Sequence, residues 1–274
     1  MRRPFLKMNG LGNDFVVVEA RSQPFRPTAT EARAICDRAT GVGCDQLIAV
    51  EPSERGDAFM RIWNADGGEV EACGNAARCV AWLLAEASGR DTVSVDTAAG
   101  LLDARRAGAG RMAVDMGEPR LGWHQIPLAE DMDTRGIELQ IGPIDAPALH
   151  TPGAVSMGNP HVVFFVDDVA TAPVAGAGSL IEHHPLFPEG VNVGFAQVLA
   201  PDRLKLRVWE RGVGETRACG TGACAAVVAA SRRGLTARRA TVELPGGELQ
   251  IDWRDDGRVI MTGPVAVEFT GRLP

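Results

Sequence analysis

Residues 73–86 read CGNAARCVAWLLAE, and residues 219–232 read CGTGACAAVVAASR. The two stretches lie 146 residues apart, and each begins with Cys-Gly and continues as a run of small and apolar residues. A helix that is apolar on all sides is typical of a buried element rather than a surface one. We therefore predict two buried helices, over Asn75–Glu86 and Thr221–Arg232, each of which follows a cysteine.

The repeat extends upstream of both helices at the same offset of 146 residues. The residue pairs that it relates are Asn13 and Asn159, Gln46 and Asn192, Asn64 and Glu210, and Cys73 and Cys219. Short β-branched runs separated by Gly, Pro and Asp predict strands around the helices, which makes the fold class α/β (α+β). An internal repeat sets the architecture, so we expect two pseudo-symmetric domains. Their predicted bounds are 1–118, joined by a C-terminal strand over 264–274, and 119–263.

Composition narrows the range of functions. The chain has 274 residues, 45% hydrophobic and 23% charged, which is ordinary for a globular protein. A net charge of −7 gives no electrostatic footprint for nucleic acid, and no apolar run is long enough for a membrane span. The N-terminus does not resemble a signal peptide, so a cytoplasmic location is the expectation. In that compartment the six cysteines are expected to stay reduced.

The two Cys-Gly motifs predict an acid–base pair. A helix N-terminus presents unpaired N–H groups and partial positive charge, which favours a thiolate and can hold a carboxylate. Two such motifs could hold one carboxylate, with one thiol of the pair Cys73 and Cys219 removing a proton from one face of its α-carbon and the other delivering a proton to the opposite face. The alternatives are buried small residues or zinc ligands, although the cysteine spacings match structural zinc patterns poorly. The remaining cysteines are interpreted as core residues: Cys36, Cys44, Cys79 and Cys224.

The matched polar residues predict a shared substrate cavity. Where the first copy has Asn64-Ala65, the second has Glu210-Arg211. An adjacent carboxylate and guanidinium suit a second ammonium and a second carboxylate on the substrate. Turn residues and a surface ion pair are the structural alternatives. His161 begins a predicted strand and is otherwise interpreted as a packed histidine.

Five segments, taken in order, are similar to the diaminopimelate epimerase family. They are KMNGLGNDFVVV, WNADGGEVEACGNAARC, MGNPHVVF, EGVNVGF and WERGVGETRACGTGACAA. The resemblance implies a cofactor-independent amino-acid epimerase of lysine and peptidoglycan-precursor synthesis. It also implies two domains, each a β-barrel-like sheet around a central helix, with the active site in the cleft between them, and a homodimer.

The resemblance also implies roles for individual residues. The implied catalytic residues are Cys73, Cys219, His161 and Glu210. The implied substrate contacts are Asn13, Gln46, Asn64, Gly74, Asn75, Asn159, Asn192, Glu210, Arg211, Gly220 and Thr221. The chain departs from the family at Gly68, where Ser or Thr is common, and at Ala76, where Gly is common.

Three other functions remain open from the sequence. A proline or hydroxyproline racemase on the same fold would share the thiol pair but would not need Glu210 and Arg211 for a distal end. A non-catalytic amino-acid-binding module would carry structural cysteines. A pyridoxal-phosphate racemase would need a Schiff-base lysine, and Lys7 and Lys205, the only lysines, lie in no phosphate-loop context. We expect no cofactor, no metal, and a small-molecule substrate.

Overall fold

The computed structural model describes residues 3–71, 73–143 and 145–273. The chain divides into two compact units. The first comprises Met1–Asp115 with Thr262–Pro274, and the second comprises Met116–Met261. Ala72, which precedes the first catalytic-cysteine candidate, lies outside the described residues.

The first unit contains two helices, α1 and α2, and its strands lie on both sides of α2 in the sequence. Its elements are β1 (Pro4–Gly10), β2 (Asn13–Glu19), α1 (Ala29–Cys36), β3 (Gln46–Glu51), β4 (Ala58–Asn64), β5 (Glu69–Val70), α2 (Gly74–Ser88), β6 (Thr92–Thr97), β7 (Gly100–Arg106), β8 (Arg111–Asp115) and, from the end of the chain, β19 (Ala266–Arg272). The terminal strand β19 pairs antiparallel with β1. Thr28 and Glu31 form a capping box that fixes the start of α1.

The second unit has the same order of strands around its own long helix, α4. Its elements are a 3₁₀ helix (Trp123–Gln125), β9 (Gln140–Ile141), β10 (Leu149–His150), β11 (Gly153–Ser156), β12 (Pro160–Phe165), α3 (Val174–Glu182), β13 (Asn192–Ala200), β14 (Arg203–Glu210), β15 (Gly214–Thr216), α4 (Gly220–Arg232), β16 (Arg239–Leu244), β17 (Gly247–Trp253) and β18 (Val259–Pro264). The last residues of β18 belong to the first unit.

Strand registers confirm the duplication. The parallel pair β2–β3 aligns Phe15 with Gln46, and the parallel pair β12–β13 aligns His161 with Asn192, 146 residues later. The antiparallel neighbours repeat as well, because Leu47 faces Trp63 just as Val193 faces Trp209. The matched polar residues therefore lie at equivalent ends of equivalent strands. A one-residue slip would turn each of them to the opposite face of the sheet.

Both long helices are buried within their own units, as the sequence predicts. α2 packs against β1, β2, β4, β6, β7 and β8, and α4 packs against β11, β12, β13, β14, β16 and β17. Their alanines favour helix formation and allow strands to approach closely on every side. Gly89 and Gly234 adopt the left-handed conformation just after each helix, which ends it. In the described part of the chain, no helix is long and apolar enough to cross a membrane.

Candidate active site

Cys73 is the N-cap of α2, with φ −147° and ψ 114°, and its side chain is partly exposed. Its Sγ donates to Oδ1 of Asn13, 3.8 Å away, and Nδ2 of Asn75 reaches the same oxygen at 3.5 Å. Asn13 stands at the start of β2, just after a tight turn at Leu11 and Gly12, both with positive φ. Three residues that the sequence predicted for the site, Asn13, Cys73 and Asn75, are thus brought together.

Asp45 determines how the Asn13 carboxamide is oriented. The Asp45 Oδ2 accepts from Nδ2 of Asn13 at 2.7 Å and from the backbone N–H of Asp14 at 3.0 Å. Because a carboxylate only accepts hydrogen bonds, the amide nitrogen must face Asp45 and the amide oxygen must face Cys73. Sequence reasoning missed Asp45, since the position 146 residues later is Val191 and gives no repeat signal.

Gln46 and Asn64 face each other across β3 and β4. Nε2 of Gln46 donates to Oδ1 of Asn64 at 2.9 Å. The buried Oε1 of Gln46 has no hydrogen-bond partner among the described residues. A buried acceptor without a hydrogen bond costs free energy. This oxygen is therefore a candidate acceptor for an ammonium or hydroxyl group of a ligand.

The start of α2 lies close to the end of β1. A Cβ built on Gly10 would lie 3.0 Å from the backbone oxygen of Asn75, so any larger residue would crowd the first turn of α2. Ala76, where the related family often has glycine, is fully buried in ordinary helical conformation, since Leu11 and Thr151 are the non-glycine residues with positive φ. The Ala76 departure therefore leaves the first turn of α2, with Gly74 and Asn75, regular.

Cys219 is the N-cap of α4 and is only 3% exposed. Its Sγ accepts from the backbone N–H of Gly222 at 3.3 Å and lies 3.6 Å from Oγ1 of Thr221. A Cβ at Gly222 would approach this sulfur to 3.1 Å. The sulfur also shares a hydrogen bond with the Glu210 carboxylate. The second cysteine therefore packs directly against the first turn of α4, which contains Gly220, and against a carboxylate.

The prediction that a helix start would lower the thiol pKa is wrong for Cys219. Burial raises the pKa of the Cys219 thiol well above its ordinary value, and the charge of Glu210 raises it further. The bonds from Thr221 and Gly222 oppose this shift but do not reverse it. A helix start offers about half a positive charge, whereas desolvation penalises the full charge of a thiolate. Cys219 is consequently a neutral thiol at neutral pH.

Glu210 ends β14, and its Oε1 accepts a hydrogen bond from Oγ1 of Thr216. Burial raises the pKa of the Glu210 carboxyl, although the bonds from Thr216 and Cys219 lower it in part. A carboxylate with a raised pKa beside a thiol is well suited to accept that thiol's proton. Thr216 was missed by sequence reasoning, because its equivalent in the first copy is Val70.

His161 is 1% exposed and neutral. Burial lowers its pKa to about 3, and the charge of Arg211 lowers it further. Its Nε2 lies 3.0 Å from Oδ1 of Asn159, so with the amide assigned this way the imidazole N–H donates. Nδ2 of Asn159 in turn donates to Oγ1 of Thr221 at 3.4 Å, which links the histidine to the residue beside Cys219.

The side chains of Glu210 and Arg211 have different partners within the protein. The Glu210 carboxylate faces Cys219 and Thr216, whereas Nη1 of the exposed Arg211 donates to the backbone oxygen of Glu189 at 2.7 Å. Because β14 ends at Glu210, Arg211 lies in the turn that follows, and the two side chains reach different partners. Asn192 is also engaged: its amide donates to the backbone oxygen of Pro160 at 2.8 Å and accepts from the Arg211 N–H at 3.0 Å.

The other four cysteines are buried, as predicted. Sγ of Cys44 donates to Sγ of Cys36 at 3.5 Å. Burial raises the pKa of Cys79 to about 12. Within residues 3–71, 73–143 and 145–273, no three His, Cys, Asp or Glu side chains are grouped as metal ligands would be.

Comparison with solved structures shows the fold. A phenazine biosynthesis protein of the PhzF family from Enterococcus faecalis matches with a TM-score of 0.71 and 16% identity, covering 100% of both chains. A hydroxyproline epimerase from Agrobacterium vitis, with trans-4-hydroxy-L-proline bound, matches with a TM-score of 0.68 and 17% identity. This match covers 100% of the present chain and 92% of the other. At such identities the likeness concerns the fold alone.

Sequence comparison is more specific. The diaminopimelate epimerase of Phenylobacterium zucineum is 66% identical, covering 100% of this chain and 99% of its own length. That of Caulobacter vibrioides NA1000 is 59% identical, covering 100% and 98%. The family model described as diaminopimelate epimerase matches residues 5–122 and 153–268, one segment on each copy of the repeat. The chain therefore belongs to the diaminopimelate epimerase family.

Proposed function

We propose that this chain interconverts LL- and meso-diaminopimelate without a cofactor, with Cys73 and Cys219 as its two acid–base groups. The observation that carries the proposal is the equivalence of the two thiols. Each is the N-cap of the buried helix of its unit, at the same point of a duplicated fold. The names of relatives at 59–66% identity support diaminopimelate as the substrate.

The helix openings supply the groups that a deprotonation needs. We propose that the N–H groups of Gly74, Asn75, Gly220 and Thr221 hold the carboxylate next to the reacting carbon. Negative charge grows on that carboxylate as the α-proton leaves, and fixed N–H donors stabilise it without reorganisation. One sulfur removes the proton, the other delivers a proton to the opposite face, and the stereocentre inverts.

Glu210 provides a route to the Cys219 thiolate. In the direction in which Cys219 is the base, its proton first moves to the Glu210 carboxylate, whose raised pKa suits it to accept. The resulting thiolate takes the α-proton, and Cys73 gives its own proton to the carbanion. The proton held by Glu210 then returns to Cys73 through solvent. In the reverse direction the Cys73 proton first moves through solvent to the Glu210 carboxylate, and the Cys73 thiolate takes the α-proton. Cys219 delivers the proton that it already carries and then recovers one from Glu210.

The substrate contacts are proposed at the residues that retain hydrogen-bonding capacity. The free Oε1 of Gln46 and the exposed guanidinium of Arg211 suit an ammonium and a distal carboxylate, respectively. His161 is proposed to act as a neutral donor that orients Asn159. Asn192 supports Arg211 through the backbone.

We also propose that the chain forms a homodimer. We propose further that it acts in the cytoplasm, in lysine and peptidoglycan-precursor synthesis. Val267 and Phe269 on β19 are 39% and 49% exposed, which supports an apolar contact with a second copy. Analytical ultracentrifugation of the purified chain tests the dimer, and a single species with the mass of one chain would contradict it.

Deuterium incorporation during epimerisation tests the two-base reaction. In deuterated water, without added cofactor, product from the first turnovers of LL-diaminopimelate should carry α-deuterium while recovered substrate stays protiated. This result is expected because the delivered proton is not the one removed. Lysine, which lacks the distal carboxylate, and hydroxyproline should react far more slowly if Arg211 binds that carboxylate. Heavy early labelling of both isomers, or preference for hydroxyproline, would contradict the proposal.

A further inference from the structure

The hairpin that carries Glu210 and Arg211 is held by a buried carboxylate from α3. Glu182, the last residue of α3, is 6% exposed. Its Oε2 accepts from Nε1 of Trp209 at 2.7 Å, and its Oε1 accepts from the backbone N–H of Gly212 at 2.7 Å. Trp209 precedes Glu210 and Gly212 follows Arg211, so the two bonds bracket the pair of site residues.

The α3 helix lies directly against the indole that makes the first of these bonds. A Cβ built on Gly178 would lie 2.6 Å from Cγ of Trp209, so only glycine allows α3 to approach so closely. Burial alone would raise the pKa of Glu182, but the N–H donors of Trp209 and Gly212 hold it below its ordinary value. Glu182 is therefore a buried, ionised acceptor with both oxygens used.

The hairpin between β14 and β15 is short, so its few anchors determine where Glu210 lies. Glu210 pairs with Gly214, and the N–H of Val213 donates to the backbone oxygen of Glu210 at 3.1 Å. Gly212 has φ +74°, a conformation that favours glycine. Two side chains from outside the hairpin accept hydrogen bonds from it. Glu182 accepts from the residues on both sides of the Glu210-Arg211 pair, whereas Asn192 accepts from the Arg211 N–H alone.

We propose that Glu182 is a positioning residue for the reaction, which holds the Glu210 carboxylate at the Cys219 thiol through its bonds to Trp209 and Gly212. The inference rests on the proposed function, because it assigns Glu182 a part in the chemistry of Cys219. The Glu182 carboxylate bonds to Trp209 and Gly212, not to the reacting sulfur or to the protein groups assigned above to the substrate. Its effect is exerted through the hairpin.

Glu182→Gln tests the proposal. A glutamine offers one oxygen and one NH₂ group, so one of the two N–H donors must face another donor. We expect kcat/KM for diaminopimelate to fall on the order of 10- to 100-fold, as for loss of a charge-assisted hydrogen bond. Glu138→Gln removes the same charge from an exposed position of the same unit and should retain wild-type kcat/KM.

A second readout separates positioning from mere stability. The pH dependence of Cys219 alkylation by iodoacetamide, followed by peptide mass, should move to lower pH in Glu182→Gln. The reason is that the Glu210 charge, which helps to raise the Cys219 pKa, is no longer held beside the sulfur. A purely structural glutamate would lower the melting temperature and leave this pH dependence unchanged. The measurement needs no turnover, so it tests the inference even if diaminopimelate proves not to be the substrate.

Trp209→Phe keeps a ring against Gly178 and removes the indole donor together with part of the fused ring system. Its effect on kcat/KM should not add to that of Glu182→Gln in the double variant, because both act through one contact. Additive losses, or wild-type kcat/KM and alkylation in Glu182→Gln, would overturn the proposal. If Glu182→Gln does not fold, unchanged Cys219 alkylation in folded Trp209→Phe overturns it, and a shift to lower pH supports it.

Discussion

Replacing Cys73 or Cys219 by alanine is expected to lower kcat for diaminopimelate by about 10²- to 10⁴-fold, the usual contribution of a positioned acid or base. Each variant removes one of the two groups that exchange protons with the α-carbon. The Cys73 side chain makes no cap hydrogen bond, and the Cys219 side chain makes one, from the Gly222 N–H. The loss of a single cap bond costs about 1 kcal/mol, too little to unfold the domain. Circular dichroism and thermal melting should therefore show folded proteins.

Cys79→Ala and Cys224→Ala are the matched controls. Each removes a buried thiol from the same helix as a proposed catalytic cysteine. They should lower the melting temperature slightly through a small cavity and leave kcat near its wild-type value. The two-thiol mechanism would be untenable if Cys73→Ala or Cys219→Ala kept wild-type kcat, or if the controls lost as much activity.

Glu210→Gln is expected to have the next largest effect, with kcat falling by about 10²- to 10⁴-fold in the direction in which Cys219 removes the proton. Glutamine is nearly isosteric but cannot take the Cys219 proton. Because the equilibrium constant between the two isomers is fixed, kcat/KM must fall by the same factor in the reverse direction. Initial rates from the LL and meso isomers measure the loss, and single-turnover experiments show whether proton transfer is the step that slows.

The same variant should change the titration of Cys219. The Glu210 charge and burial together raise the pKa of the thiol, so removing the charge should lower that pKa while burial still holds it above the ordinary value. The pH profile of Cys219 alkylation should move to lower pH. A profile that stays in place or moves to higher pH would show that Glu210 does not act on Cys219 through its charge.

The repeat predicted much of the fold, because a constant offset carries both the helix positions and the strand register. Predicted Asn75–Glu86 and Thr221–Arg232 correspond to α2 at Gly74–Ser88 and α4 at Gly220–Arg232. The helix α3 was missed, since Gly176 and Gly178 weaken the helical signal of its sequence. One of those glycines is needed for contact with Trp209, a requirement visible only in three dimensions.

The site was predicted less completely, and the reason is physical. Matching the two copies finds residues that both copies use, such as Asn13 and Cys73. It cannot find Asp45, Thr216 or Glu182, whose equivalents are Val191, Val70 and Cys36. The thiol pKa was wrong because the helix-start argument left out desolvation and the neighbouring carboxylate, both of which depend on packing.

The strand registers also have a consequence for how this chain can change its length. From Asn13 to Cys73 and from Asn159 to Cys219 the spacing is identical, although most of the intervening residues have diverged. After the helices the offset grows, since Thr92 pairs with Arg105 and Arg239 pairs with Asp252, 147 residues later. The stretch after the cysteine thus differs by one residue between the two copies, while the preceding spans have kept one length. A one-residue insertion should accordingly be tolerated between α2 and β6 or between α4 and β16, and rejected within residues 13–73 or 159–219, where it would shift the strand register.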